Sequence, residues 1–177
     1  MQATTDFMTA NPRQAFGELF EQHRKIVFKV ANTYSRYPDD RADLAQEIAA
    51  QLWRAFPGYD PARSFSTWMY RIALNVAISF LRNHQHRDEH TEPLDDGHTE
   101  VIGHAGVAHE ADEQVRALNR FIAQLEPLNR ALLLLYLEER SYREIADILG
   151  ISETNVATKI NRLKQRIRQD MATTAAN

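Results

Sequence analysis

The chain has no cysteine, little glycine or proline, and no long apolar run. Without cysteine, neither a disulfide nor a thiolate metal site can form. The longest purely apolar run, Ala131 to Leu135, is far too short to span a bilayer. The N-terminus lacks a basic segment followed by an apolar stretch, which is the pattern of a signal peptide. We therefore expect a cytoplasmic protein.

Helical periodicity dominates the sequence. Glycine and proline number only six each in 177 residues, and apolar residues between them recur every three or four positions, as in amphipathic helices. We expect helices over about 12–35, 41–56, 64–83, 110–125 and 128–137, followed by a helix-turn-helix. A charged stretch at about 84–109, with Pro93 and three glycines, interrupts the pattern. The prediction is an all-α protein with two small helical domains joined by a flexible acidic linker.

Charge is unevenly distributed, although the formal net charge is only −3. Nine acidic residues and one basic residue lie between Asn83 and Glu113. Five basic residues and one acidic residue lie between Ser152 and Gln169. An acidic middle and a basic end favour a nucleic-acid contact confined to one element.

Six of the seven histidines also lie in the interrupted stretch: His84, His86, His90, His98, His104 and His109. Histidines mixed with carboxylates suggest a metal site or a pH sensor. Their spacing is irregular, however, and matches no ligand set. We favour a hydrophilic tether and predict no metal and no cofactor.

The segment from Ser141 to Arg168 has the pattern of a helix-turn-helix. Gly150 marks the turn and Ser152 suits the N-cap of the second helix. That helix has one apolar stripe (Val156, Ile160, Leu163 and Ile167) and an opposite face of hydroxyl, amide and guanidinium groups. Such groups bond base edges and phosphates. The pattern predicts DNA binding; the alternative is an ordinary amphipathic hairpin with a solvated face.

Several motifs between Asp43 and Arg82 carry a resemblance to a known family. They are DLAQE at Asp43–Glu47, LWR at Leu52–Arg54, YD at Tyr59–Asp60 and FSTWMYRIALN at Phe65–Asn75. This segment resembles region two of bacterial sigma factors of the extracytoplasmic-function (ECF) class. SYREIADILGIS at Ser141–Ser152 looks like region four of the same family.

The resemblance implies a promoter-specificity subunit of RNA polymerase with no catalytic residues of its own. Region two would occupy residues 12–87, the acidic linker 88–111 and region four 112–171. The implied partners are core RNA polymerase, through the clamp helices of its largest subunit, promoter DNA, and a separate anti-sigma factor. No small-molecule substrate is implied.

The resemblance also implies three sets of site residues. Binding of core polymerase falls to Asp43, Gln46, Glu47 and Arg54. Recognition and melting of the −10 element fall to Tyr59, Arg71, Asn75, Ser79 and Arg82. Recognition of the −35 element falls to Ser152, Thr154, Asn155, Thr158, Lys159, Asn161, Arg162 and Arg166. Phe65 and Trp68 have the spacing of core residues.

The recognition helix departs from the usual family pattern at two positions. Ala157 stands where many members have a basic residue, and Asn161 where they have a larger group. We therefore expect a −35 preference that differs from the common one. Arg162 is the best candidate for a guanine contact, because its guanidinium fork matches the O6 and N7 acceptors.

Two other functions compete with this interpretation. A free-standing helix-turn-helix regulator would act as a dimer on a palindromic site, but it leaves the motifs of Asp43–Arg82 unexplained. A metal-dependent hydrolase would need a ligand set, a nucleophile motif or a phosphate loop, and the sequence shows none of these.

Overall fold

The computed structural model of the protein describes residues 11–35, 37–88, 118 and 120–175, and side chains for all of these except 84–88 and 171–175. Its helices are α1 (Pro12–His23), α2 (Lys25–Tyr34), α3 (Pro38–Ala55), α4 (Phe65–Asp88), α5 (Pro127–Leu137), α6 (Tyr142–Leu149) and α7 (Glu153–Ala175). A 3-10 turn, Phe56–Gly58, follows α3, and residues 120–124 are also helical. The described residues contain no strand, which confirms the all-α class.

The helix starts follow local sequence rules. Asn11 caps α1 by accepting a hydrogen bond from the Gln14 amide, and proline opens α1, α3 and α5. Proline suits the first helical turn because its missing N–H needs no partner there.

Residues 12–35, expected as one helix, form two. The chain turns at Arg24, between α1 and α2. At the end of α1, His23 Nδ1 donates to the Leu19 carbonyl over 3.0 Å, and its ring lies 5.3 Å from that of Phe65. The break therefore places the last turn of α1 against an aromatic cluster, which helical periodicity alone does not reveal.

The first four helices, residues 11–88, form the N-terminal bundle. Leu44, Ile48 and Leu52 of α3 are fully buried, and α3 packs against α2 and α4. Met69, Ala73 and Ala77 of α4 are buried as well. Fully burying side chains of the size of leucine stabilises the fold by about 1.5–3 kcal/mol each, so this layer fixes the orientation of α3 and α4.

The helical residues 120–124 and α5–α7 form the C-terminal bundle. Ala131, Leu132 and Leu135 of α5 are fully buried, and α5 packs against α6 and α7. Arg130 joins the first segment to the bundle, because its guanidinium donates to the carbonyls of Ala123 and Leu125. The expected linker falls almost entirely within residues 89–117, outside the described residues.

Candidate promoter and polymerase surfaces

The turn before the candidate recognition helix is built from two local devices. Ser141 and Glu144 form a capping box at the start of α6: the Glu144 amide donates to Ser141 Oγ, and Glu144 accepts from the Ser141 amide. These hydrogen bonds from the Ser141 backbone and side chain lower the pKa of Glu144. Gly150 then ends α6 with φ 68°, a left-handed conformation that favours glycine.

The recognition helix α7 is oriented by its apolar stripe. Val156, Ile160 and Leu163 are buried, at 0, 1 and 3% exposure, and Ile167 is half-buried. The predicted stripe is thus the buried face. Ser152 Oγ accepts from the Asn155 amide, so the serine that was predicted to cap α7 does so.

Most of the predicted −35 set lies exposed on the opposite face of α7. The exposed members are Ser152, Thr154, Asn155, Thr158, Asn161, Arg162 and Arg166; Lys159 is half-buried. Thr158 Oγ1 donates to the Thr154 carbonyl over 2.9 Å, which leaves its oxygen able to accept. The face therefore presents hydroxyl, amide and guanidinium groups to solvent.

Cations along the edges of α7 contact the rest of the C-terminal bundle. Lys164 Nζ lies 4.4 Å from the centre of the Tyr136 ring, and a hydrogen bond with Tyr136 raises the pKa of Lys164. The Arg166 guanidinium lies 5.8 Å from the centre of the Phe121 ring. Such cation–π contacts contribute about 0.5–1 kcal/mol each at exposed sites. Arg166 was predicted to contact DNA, and its contact with the Phe121 ring was not predicted.

The predicted −10 residues of α4 share one exposed stripe. Arg71, Asn75, Ser79 and Arg82 are all exposed, and at 100° per residue they fall within about 80° of one another around the helix. The face opposite contributes Met69, Ala73 and Ala77 to the core. Helix α4 therefore presents an amide and a hydroxyl flanked by two guanidinium groups.

The Tyr59 ring packs against Phe65 and Trp68 in the first turn of α4. Its hydroxyl donates to the Arg63 carbonyl over 2.7 Å, and its half-buried ring lies 5.1 Å from that of Trp68. Trp68 lies two helical turns before Asn75 on the same side of α4, about 10 Å along the axis. Burial, with a smaller effect of the Asp60 carboxylate, raises the pKa of Tyr59. Phe65 is buried at 6% exposure, as expected of a core residue.

The predicted polymerase-binding residues form an exposed polar face of α3. Asp43, Gln46, Glu47 and Arg54 are all exposed. Glu47 accepts from the Gln51 amide over 2.9 Å and lies 3.9 Å from Arg54. The four residues share about 100° of the helix surface, so the face is continuous and carries both charges.

The described residues hold no group of three or more His, Asp or Glu side chains that could bind a metal ion. The linker histidines, from His84 onward, lie in or beyond the part without described side chains, so their predicted role stays a prediction. Over the ranges that the structure describes, no helix is both long and apolar enough to cross a membrane.

Both bundles match conserved regions of one known protein family. Residues 19–87 match sigma-70 region 2, and residues 116–167 match sigma-70 region 4. The ECF RNA polymerase sigma factor SigE of Mycolicibacterium smegmatis is 29% identical over 167 residues, 89% of this chain and 62% of SigE. The probable RNA polymerase sigma factor RfaY of Xanthomonas campestris is 26% identical over 92% of this chain. The chain spans only 42% of the length of RfaY.

A solved structure has the same fold over nearly its whole length. It is the sigma factor RpoE in complex with the anti-sigma factor NepR, from Bartonella quintana. It superposes with a TM-score of 0.66 and 16% identity, over 90% of this chain and 96% of that one. Since both sigma-70 regions match in order and ECF sigma factors are among the relatives, the chain belongs to the ECF class of RNA polymerase sigma factors.

Proposed function

We propose that this chain binds core RNA polymerase and directs promoter-specific initiation, with the N-terminal bundle reading the −10 element and the C-terminal bundle the −35 element. One observation carries the proposal: each bundle, matched to its own sigma region, presents a separate exposed polar face on one of its helices. The chain has no catalytic role in this scheme, and it acts in the cytoplasm, where the polymerase is.

The −35 contact is proposed for Ser152, Thr154, Asn155, Thr158, Lys159, Asn161, Arg162 and Arg166. Ser152 lies at the start of α7, where free amides and the helix dipole favour a phosphate. Arg162 is the candidate base contact, since a guanidinium bonds guanine in two places. The basic side chains at the edges add phosphate attraction without sequence information.

The −10 contact is proposed for Tyr59, Arg71, Asn75, Ser79 and Arg82. A base that leaves the stack needs hydrogen bonds and an aromatic wall. Asn75 and Ser79 supply the hydrogen-bonding groups, and the anchored Tyr59 ring supplies the wall. Arg71 and Arg82 flank the stripe and would neutralise phosphates.

Core polymerase would bind the polar face of α3, through Asp43, Gln46, Glu47 and Arg54, and contact the clamp helices of the largest subunit. A separate anti-sigma factor is proposed as a further partner, because the sigma factor that shares this fold was solved in complex with one. A dimeric helix-turn-helix regulator explains the C-terminal bundle alone and leaves the region 2 match unused.

Variants of α3 test the proposal. We expect Asp43→Ala and Gln46→Ala to weaken binding to core polymerase, measured by fluorescence anisotropy of labelled chain. Glu18→Ala, at an exposed acidic position of α1, is the control and should bind as the parent does. Equal affinity in all these variants would remove α3 from the interface.

Variants of α4 test the proposed −10 contact. Asn75→Ala should reduce opening of the −10 element, followed by permanganate reactivity of its thymines, without weakening core binding. Asn32→Ala, an exposed asparagine of α2, is the control. Normal opening with Asn75→Ala would contradict the assignment.

A further inference from the structure

Two neighbouring side chains stand on opposite flanks of the polar face of α7. The buried stripe of Val156, Ile160 and Leu163 fixes which side of this helix faces the core. At 100° per residue, Asn161 and Arg162 lie about 50° to either side of the opposite direction. With α7 along a groove of DNA, the two side chains would therefore meet different base pairs.

The side-chain amide of Asn161 is available for a ligand. It is exposed, and among the described residues no hydrogen bond to it is found. A primary amide holds a donor and an acceptor side by side. In the major groove, adenine presents the matching pair, the N7 acceptor and the N6 amino donor. No other base presents an acceptor and a donor on the same edge there.

The neighbours of Asn161 along its flank leave room for a short side chain to reach a base edge. Ala157, one turn before it, is half-buried and carries only a methyl group. Lys164, nearly one turn after it, is turned onto the Tyr136 ring, with Nζ 4.4 Å from the ring centre. Neither neighbour therefore comes between the asparagine amide and a base edge.

The middle of the polar face offers no competing donor beside Asn161. Thr158, nearly one turn before it, donates its hydroxyl hydrogen to the Thr154 carbonyl over 2.9 Å. The hydroxyl oxygen can then only accept a hydrogen bond. It cannot bond the N7 acceptor of a purine, so recognition of a purine on this flank falls to Asn161.

Gln165 carries the same amide group on the same face of α7 and is exposed too. It lies one turn beyond Asn161, about 6 Å further along the helix axis. In a helix-turn-helix, the N-terminal residues of the recognition helix contact the base edges. Asn161 is the nearer of the two amides to that end, so Gln165 serves as its matched control.

We infer that Asn161 reads an adenine of the −35 element, at a base pair other than the one assigned to Arg162. The amide nitrogen donates to N7 of the adenine, and the amide oxygen accepts from its N6 amino group. Ala157 is a positioning residue, because its small side chain lets α7 lie close enough to the base edges for a short amide to reach them. This inference rests on the proposed function and names a base that the −35 element should contain.

A promoter library with a randomised −35 element tests the inference. Core polymerase with the full chain transcribes the library, and sequencing of the transcripts gives the preference at each base pair. We expect the parent to favour adenine about tenfold at one position. Asn161→Ala should remove this preference and keep those at the other positions. Equal preferences of the two chains at every position would overturn the inference, and so would loss of a preference for a different base.

An exchange of asparagine for aspartate gives a sharper outcome. A carboxylate only accepts hydrogen bonds, so the N7 acceptor of adenine repels it, whereas cytosine presents an amino donor. Asn161→Asp should therefore move the preference at the same position from adenine to cytosine. Gln165→Ala should keep adenine. Retained adenine in Asn161→Asp, or lost adenine in Gln165→Ala, would contradict the assignment.

Variants of Ala157 test the approach of the helix to the bases. In Ala157→Lys, a long side chain holds α7 away from the groove, although its charge adds attraction to phosphates. Most of the adenine preference should therefore be lost. Ala157→Ser keeps a small side chain and should keep the preference. An unchanged preference in Ala157→Lys would overturn the positioning role of Ala157.

Two further results separate this inference from other causes of failure. Because Asn161 and Gln165 are exposed, their alanine variants should melt at the temperature of the parent, followed by circular dichroism. Failure of the parent to initiate at any promoter would refute the proposed function instead. Selection of random duplexes bound by the full chain alone then tests Asn161, and equal base preferences of the parent and Asn161→Ala would overturn the inference.

Discussion

At the scale of single residues, two arginines of α7 differ in the contacts that they make within the protein. Arg166 contacts the Phe121 ring, so part of its role is to hold α7 in place. Arg162, one turn before it, is exposed, and no partner for it is seen among the described residues. An arginine that the fold does not engage is the better candidate for reading a base.

Arg162→Ala should therefore weaken binding to the cognate promoter by about 1–3 kcal/mol and relax the preference for one base pair. Arg168→Ala removes the same charge from an exposed position of the same helix and is the control. We expect it to weaken binding evenly across sequences, as loss of a phosphate contact does. Competition binding to a set of single-base promoter variants measures both. A flat response to Arg162→Ala would refute the base contact.

At the scale of elements, the turn between α6 and α7 depends on one backbone conformation. Gly150 has φ 68°, and a Cβ built there meets nothing within 4 Å. A side chain at this position would thus cost only backbone strain. Gly17 lies inside α1 and also has open space around it, so the two glycines differ in conformation and not in packing.

Opposite effects are expected from alanine at the two positions. Gly150→Ala should lower the free energy of unfolding by about 1–2 kcal/mol, the cost of a left-handed conformation. Gly17→Ala should raise it by about 0.5–1 kcal/mol, because alanine favours the helix interior. Urea unfolding with linear extrapolation measures both values. A stabilised Gly150→Ala chain would show that the turn does not need its left-handed residue.

Local signals explain why these elements could be predicted from the sequence. Proline at the starts of α1 and α5, the Ser152 cap, the Gly150 turn and the stripe of Val156, Ile160 and Leu163 all act within a few residues, and the structure has each of them. Pro38 also opens a helix, α3, although that helix was expected to begin only at about residue 41. The break at Arg24 has no proline or glycine to mark it. The sites themselves came from the family resemblance, since an exposed polar stripe alone is equally typical of a solvated helix face.

At the scale of the whole molecule, the junction between the bundles, where α2 and α4 contact α5 and α6, was not predicted. Lys29 and Glu138 are 109 positions apart, and Tyr34 and Pro127 are 93 apart. No periodicity or motif in one segment indicates such a partner in another. One sequence signal is the position of two tyrosines: Tyr34 and Tyr70 fall on the apolar sides of α2 and α4, and both hydroxyls make contacts across the junction.

Alkaline pH should weaken this junction. Burial, together with the Glu138 carboxylate, raises the pKa of Tyr70 to about 12, and burial also raises the pKa of Tyr34. Between the ordinary value of about 10 and 12, the unfolded chain releases protons that the folded chain retains. The stability contributed by these hydroxyls is thus complete below pH 10 and is lost as the pH rises.

Urea unfolding across this pH range measures the effect. The stability difference between the parent and Tyr70→Phe should shrink as the pH rises from about 10 towards 12. Tyr37→Phe, at a position 54% exposed, should leave the pH dependence unchanged. A constant difference between the parent and Tyr70→Phe would show that Tyr70 titrates alike in both states.

The most direct test of the central claim is to map transcription starts on bacterial genomic DNA with purified core RNA polymerase, with and without this chain. We expect a set of new starts that appear only with the chain and that share one −10 and one −35 sequence. The set should be lost with Asn75→Ala and altered at −35 with Arg162→Ala. Identical starts with and without the chain would contradict its role as a sigma factor.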